Sequence, residues 1–60
     1  FRERISEIVI YDLTGKVIFK RITNESHSEV LDLSNLSDGL YLLEVTTAGN
    51  TKTIKKLLVE

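Results

Sequence analysis

The 60-residue chain contains no cysteine, no proline, no methionine and no tryptophan. Without cysteine it has neither a disulfide nor a thiolate metal site, although chains of this size often need such support for a thin core. Eight Lys and Arg residues stand against nine Asp and Glu, a net charge of -1 that gives no strong attraction for nucleic acid or an anionic membrane. No apolar run approaches the roughly 20 residues that span a bilayer. The composition therefore indicates one small module, residues 1–60.

What the chain does have is strand pattern. Apolar residues recur with a period of two or in short runs that hold most of the β-branched and aromatic residues. We predict five strands, at about 6–13, 16–23, 29–33, 40–48 and 52–59. The first is continuously apolar from Ile8 to Tyr11, so we expect it at the centre of a sheet. Because no long helical pattern separates any two strands, neighbouring strands are expected to pair antiparallel. The predicted fold class is all-β.

Short polar segments join the predicted strands. Residues 12–16 predict a tight hairpin in which Gly15 adopts a positive φ, and residues 48–51 predict a second hairpin. Residues 34–39 predict a corner with at most one helical turn, which Gly39 ends in a backbone conformation that favours glycine. Residues 24–28 carry no periodicity and are interpreted as a polar loop.

Catalytic and metal-binding interpretations find little support. His27 lies between Ser26 and Ser28 in the polar loop, but adjacent residues rarely form a catalytic pair, and neither an apolar pocket wall nor an obvious carboxylate to orient the ring is indicated. One histidine does not make a metal site. The aspartates at strand ends are of the type that accepts hydrogen bonds from turn backbone: Asp12, Asp32 and Asp38. We therefore predict no enzyme activity and no cofactor.

Three lysines lie on the last predicted strand, at Lys52, Lys55 and Lys56. A basic group of this kind is suited to contact phosphate or a lipopolysaccharide headgroup. Lysines on an outer strand also discourage edge-to-edge pairing. We favour edge protection from the residues alone, since no aromatic residue is interleaved to stack a base, and the binding alternative stays open.

Three motifs occur in a fixed order along the chain. They are Ile-Tyr-Asp-Leu-Thr-Gly-Lys-Val at 10–17, Leu-Asp-Leu-Ser-Asn-Leu-Ser-Asp-Gly-Leu-Tyr at 31–41 and Thr-Ile-Lys-Lys-Leu at 53–57. In these motifs the chain resembles the C-terminal sorting domain (type A, Por secretion tail) of proteins exported by the type IX secretion system of Bacteroidetes. The second motif is also typical of a corner in an immunoglobulin-like sandwich, in which Tyr41 hydrogen-bonds back to the loop around Leu36.

The resemblance implies an antiparallel immunoglobulin-like β-sandwich that directs an attached cargo protein across the outer membrane. The cargo passes through the periplasm to the cell surface or the medium, and a sortase-like peptidase commonly removes the domain. The implied recognition residues are Lys55, Lys56, Leu57, Val59 and Glu60. The implied structural residues are Asp12, Gly15, Asp32, Leu36, Gly39 and Tyr41.

The family usually has an earlier strand introduced by an Asn-Pro turn, and this chain has no proline. We therefore expect a domain trimmed at its N-terminal side, with a free edge on the first strand that favours a homodimer. A rival hypothesis is an immunoglobulin-like accessory or glycan-contacting module of a surface hydrolase. Position in the precursor distinguishes the two, because a sorting tail ends the precursor and an accessory module need not.

Overall fold

The computed structural model describes residues 3–28 and 30–60, without the side chains of residues 24–26. Its strands are β1 (Ile5–Tyr11), β2 (Val17–Ser26), β3 (Gly39–Thr47) and β4 (Lys52–Val59). They form one antiparallel sheet in the order β2-β1-β3-β4. The predicted all-β antiparallel class is confirmed. Four described strands replace the predicted five, and one four-stranded sheet is consistent with an immunoglobulin-like fold.

The first strand occupies the centre of the sheet, as predicted. β1 pairs with β2 on one side and β3 on the other, and Ile8, Val9 and Ile10 are 3%, 4% and 0% exposed. Val9 points to the opposite side from its neighbours and lies between Lys20 and Glu44 on the adjacent strands, whose aliphatic stems can shield it. This position contradicts the expected free edge on the first strand. Within the described part of the chain, the strands with an unpaired side are β2 and β4.

The sheet has two unlike faces. One face carries Ile8 and Ile10 of β1 beside their β3 partners Val45 and Leu43, and we call it the covered face. Leu31 packs on its core cluster of Ile5, Ile8 and Val45. We call the other side the open face. It presents apolar side chains to solvent, among them Ile22, Leu40, Ile54 and Leu58.

The predicted third strand is wrong for the described part of residues 29–33, since residues 30–33 are not in a strand; Glu29 lies outside the described residues. This segment instead lies over the covered face, where Arg21 Nη1 donates a hydrogen bond of 3.1 Å to Val30 O. The Asp32 carboxylate accepts from Ser34 N at 3.0 Å, a local bond that competes with pairing in a sheet.

The polar loop predicted at residues 24–28 is wrong in its first half. β2 continues through residues 24–26, and Ser26 is the partner of Ile5. Thr23 supports this extension, since its hydroxyl donates to Ile5 O. The pairing requirement of β1 thus outweighs the local lack of apolar residues.

Candidate recognition surface

The last strand lies at an edge of the sheet. β4 pairs with β3 without a register shift from Thr46↔Lys52 to Gly39↔Val59. Among the described residues no strand pairs with its other side. The opposite edge is less regular, because the β1–β2 register shifts near both ends of β1. β4 is therefore the more regularly paired of the two edge strands.

Its lysines do not form a single patch. Lys55 is paired with Leu43 and so belongs to the covered face, whereas Lys56 is paired with Leu42 on the open face. Lys52 shares the open face with Lys56, two strand repeats away. All three are exposed. The adjacent Lys-Lys pair therefore presents one positive charge to each side of the sheet.

The remaining recognition residues predicted from the resemblance divide in the same way. Leu57 and Val59 are half-buried on the covered face, opposite Tyr41 and Gly39. Glu60 is exposed and follows the end of β4. These residues therefore share one strand without forming one surface.

An exposed apolar row lies beside these residues on the open face. Ile54 is 62% exposed and Leu58 is 63% exposed, and Leu40, the partner of Leu58, is 40% exposed. The sequence motifs indicate no role for this row. The row could have been found from the sequence, because the period of two in residues 52–59 places Lys, Ile, Lys and Leu in turn on one side of the strand.

The corner before β3 has the predicted construction. The Tyr41 hydroxyl donates a hydrogen bond of 2.6 Å to Ser37 O, and Leu36 N donates to Leu33 O at 3.0 Å within the turn. Gly39 has a φ of 155°, which L side chains rarely adopt. The bond from Tyr41 to the preceding loop is thus confirmed, with Ser37 as the acceptor. It ties the start of β3 to the segment over the covered face.

The first hairpin is built around one carboxylate. Asp12 Oδ1 accepts hydrogen bonds from Thr14 Oγ1, from Thr14 N at 2.9 Å and from Lys16 N at 3.0 Å. The Thr14 hydroxyl, followed by the Lys16 backbone N–H, lowers the pKa of Asp12 below its usual value because these bonds favour the charged form. Gly15 takes a φ of 91°, as predicted.

Asp32 repeats this local chemistry in the corner. Hydrogen bonds from Ser34, the backbone N–H first, lower the pKa of Asp32. Both aspartates therefore act as turn acceptors.

His27 lies at a small apolar concavity of about 260 Å³ on the covered face. The lining is Ile5, Ile8, His27, Ser28, Leu31, Leu43 and Val45, which includes no carboxylate. Over residues 3–28 and 30–60 no group of three or more His, Asp or Glu side chains is placed to hold a metal ion. The same residues contain no helix that is long and apolar enough to cross a membrane.

Fold and surface together define a small antiparallel β module whose specific features are two aspartate-based turns, a tyrosine corner and a regular edge strand. A family model described as the secretion system C-terminal sorting domain matches residues 1–60. The chain belongs to this family, whose members are sorting signals for type IX secretion and are not catalytic. A sorting tail of this family marks the protein that carries it for export to the cell surface or the medium. The predicted function and localisation are therefore confirmed.

Two curated proteins are similar to the chain. An ulvan lyase of Nonlabens ulvanivorans is 30% identical over 53 residues, which cover 88% of this chain and 10% of that protein. An endo-acting ulvan lyase of Formosa agariphila is 35% identical over 51 residues, which cover 85% of this chain and 10% of that protein. The chain thus spans about a tenth of the length of these relatives. The similarity concerns a tail region of each enzyme.

Proposed function

We propose that β4 and the residues through Glu60 are the part of this sorting domain that the type IX export machinery recognises, and that the rest of the sheet holds them in place. Interaction with that machinery is implied by the family. The observation that supports β4 as the contact is its position: it is a regular strand at a free edge, with exposed Lys52, Lys55, Lys56 and Leu58. The turns at Asp12 and Asp32 and the Tyr41 corner are structural supports.

The cargo is proposed to be a polysaccharide lyase of the ulvan lyase type. This proposal is supported by the two relatives, which share about 30–35% identity with the chain through their tail regions. A sortase-like peptidase is proposed to remove the domain after export, as the family resemblance implies. A mass measurement of exported cargo tests it, since a mature species that retains residues 3–60 would contradict removal.

A homodimer through a free sheet edge is retained as part of the proposal. It must use β2 or β4, because β1 is paired on both sides. Sedimentation equilibrium of the 60-residue chain tests it. A stable monomer at high micromolar concentration would contradict the homodimer.

The recognition proposal is tested by export of a periplasmic reporter fused ahead of residues 1–60, in a strain that has the type IX secretion system. Deletion of residues 55–60 and the double variant Lys55→Ala, Lys56→Ala are expected to leave the reporter in the periplasm. Lys16→Ala is the matched control, because Lys16 is an exposed lysine in the β1–β2 hairpin, and β1 and β3 lie between β2 and β4 in the sheet.

Circular dichroism of each purified tail separates loss of recognition from loss of folding. Lys55 and Lys56 are both exposed, so their removal is expected to leave the sheet intact. Normal surface display after deletion of residues 55–60 would refute the proposed recognition role of β4.

A further inference from the structure

We infer that the free edge of β4 accepts an extended segment of a partner protein as a fifth strand, and that this segment carries carboxylates opposite Lys52 and Lys56. The inference rests on the proposed recognition role of β4 and specifies its physical mode. Strand addition takes its affinity from main-chain hydrogen bonds and its specificity from alternate side chains. Both requirements can be read from the pairing of β4 with β3.

On its outer side β4 carries backbone hydrogen-bonding groups that pair with no strand among residues 3–28 and 30–60. Thr47 N donates to Thr51 O at 2.9 Å at the start of the β3–β4 hairpin, which makes that pair a hydrogen-bonded one. Hydrogen-bonded and non-hydrogen-bonded pairs alternate in an antiparallel ladder. The residues that bond β3 are therefore Thr53, Lys55, Leu57 and Val59. The residues that direct N–H and C=O groups away from β3 are Lys52, Ile54, Lys56 and Leu58.

The outward-directed residues also share one face. The register places Lys52, Ile54, Lys56 and Leu58 on the open face, where Ile54 and Leu58 are 62% and 63% exposed. The edge thus presents basic, apolar, basic and apolar side chains in turn. A strand that pairs here is favoured when it places acidic residues opposite the two lysines and apolar residues opposite Ile54 and Leu58.

The same charges disfavour a second copy of β4 as the partner. In an antiparallel pair of two β4 edges, outward-directed residues must stand opposite outward-directed residues. The two registers with the greatest overlap then place Lys55 opposite Lys55 of the second copy, or Lys56 opposite Lys56. Like charges directly opposite each other destabilise a sheet. Because like charges disfavour a β4–β4 pair, any homodimer through an edge is expected at β2. The edge of β2 accepts an added strand less well than β4 does, since its register with β1 shifts near both ends of β1.

The test uses the 15N-labelled 60-residue chain and two synthetic peptides. The first, Val-Thr-Asp-Thr-Val-Thr-Asp, places Asp opposite Lys56 and Lys52 when it pairs antiparallel to β4. The second has Lys in place of both Asp residues and is otherwise identical. We expect the Asp peptide to bind with a Kd below about 1 mM and the Lys peptide to bind at least tenfold more weakly. Hydrogen exchange of the Ile54, Lys56 and Leu58 amides should slow only with the Asp peptide.

Two variants check the mode of binding. Ile54→Pro removes an outward N–H without removing a bond to β3, and proline is tolerated on edge strands, so the sheet should remain and peptide binding should be lost. The double variant Lys52→Glu, Lys56→Glu keeps the backbone edge and should reverse the preference toward the Lys peptide. The second variant decides the question if the proline variant does not fold.

Several outcomes would overturn the inference. They are equal affinity for the two peptides, undiminished Asp-peptide binding by a folded Ile54→Pro variant, and absence of binding near 1 mM. Binding of lipopolysaccharide micelles by Lys52 and Lys56 without peptide binding would assign the lysines to a glycolipid and also reject strand addition. If peptides fail while deletion of residues 55–60 still blocks export, strand addition is wrong and the proposed recognition role stands. If export survives the deletion, the recognition role itself is wrong.

Discussion

Gly39→Ala isolates the backbone requirement of the corner before β3. The Cβ that alanine adds would have Tyr41 Cε2 at 3.9 Å as its nearest neighbour, an ordinary contact, so space is available. The φ of 155° is the obstacle, because L residues rarely adopt it and such strain costs about 1–3 kcal/mol. Alanine also restricts the unfolded chain, which offsets about 0.4–1 kcal/mol of this cost. We expect a net loss of about 1–2 kcal/mol.

This loss is large for the molecule. A 60-residue domain has a free energy of unfolding of about 3–9 kcal/mol at typical stability per residue. Each kcal/mol shifts the melting temperature of so small a domain by about 4–8 °C, so Gly39→Ala should lower it by about 5–15 °C. Thermal and urea unfolding followed by circular dichroism measure both quantities.

Gly49→Ala is the matched control. Gly49 does not have a positive φ, and its added Cβ would lie 3.0 Å from Glu3 Oε2, which accepts a hydrogen bond from the Thr47 hydroxyl and must shift slightly. Its effect is expected to stay below about 1 kcal/mol, since at most this one hydrogen bond is weakened. Equal effects of the two substitutions, or a Gly39→Ala variant as stable as the parent chain, would refute the backbone argument.

Three further predictions concern the core, the first hairpin and the corner. Ile10→Ala removes a side chain that is 0% exposed and should cost about 2–5 kcal/mol in urea unfolding, whereas Ile54→Ala, at 62% exposure, should cost under about 1 kcal/mol. Similar losses would contradict a core centred on β1. The pKa of Asp12 is lowered in the folded chain, so its contribution is complete above the usual value of 3.8 and is lost as pH falls through the lower folded pKa. Asp12→Asn should therefore lose less stability than the parent as pH falls from about 5 through and below the usual carboxyl pKa, and an unchanged pH slope would count against this assignment. Tyr41→Phe removes the bond to Ser37 and should cost about 0.5–1.5 kcal/mol, which differential scanning calorimetry can resolve; no change in melting temperature would show that the bond contributes nothing.

The sequence predicted the parts of the fold that local chemistry determines. β4 begins and ends at the predicted residues, and β1 lies at the centre because four consecutive apolar residues need burial on both sides. The turns at Gly15 and Gly39 follow from positive φ values that glycine accommodates. Asp12 and Asp32 accept the expected bonds from nearby N–H groups.

The failures have one cause, which is that pairing over a long sequence distance can outweigh local preference. Residues 24–26 have no strand pattern but extend β2, because Ser26 reaches the start of β1. Residues 30–33 alternate like a strand, yet they cross the covered face, where Leu31 packs on the core. Periodicity describes which side chains need burial and leaves open what buries them.

The candidate surface was predictable in its residues and not in its arrangement. The family motif indicates Lys55 and Lys56, but only the register with β3 assigns them to opposite faces. The exposed row of Leu40, Ile54 and Leu58 needs the same register, since Leu40 is far from the other two in sequence.

The regular β3–β4 ladder has a mechanical consequence. Val59 is paired with Gly39 at one end of the hairpin, and the turn at residues 48–51 closes the other end. A pull on Val59 away from the sheet loads the ladder one residue pair at a time, from Gly39↔Val59 toward Thr46↔Lys52. β4 can therefore unzip at low force while β1 remains held between β2 and β3. A machine that grips the chain by this strand can thus peel it off without first melting the centre of the domain.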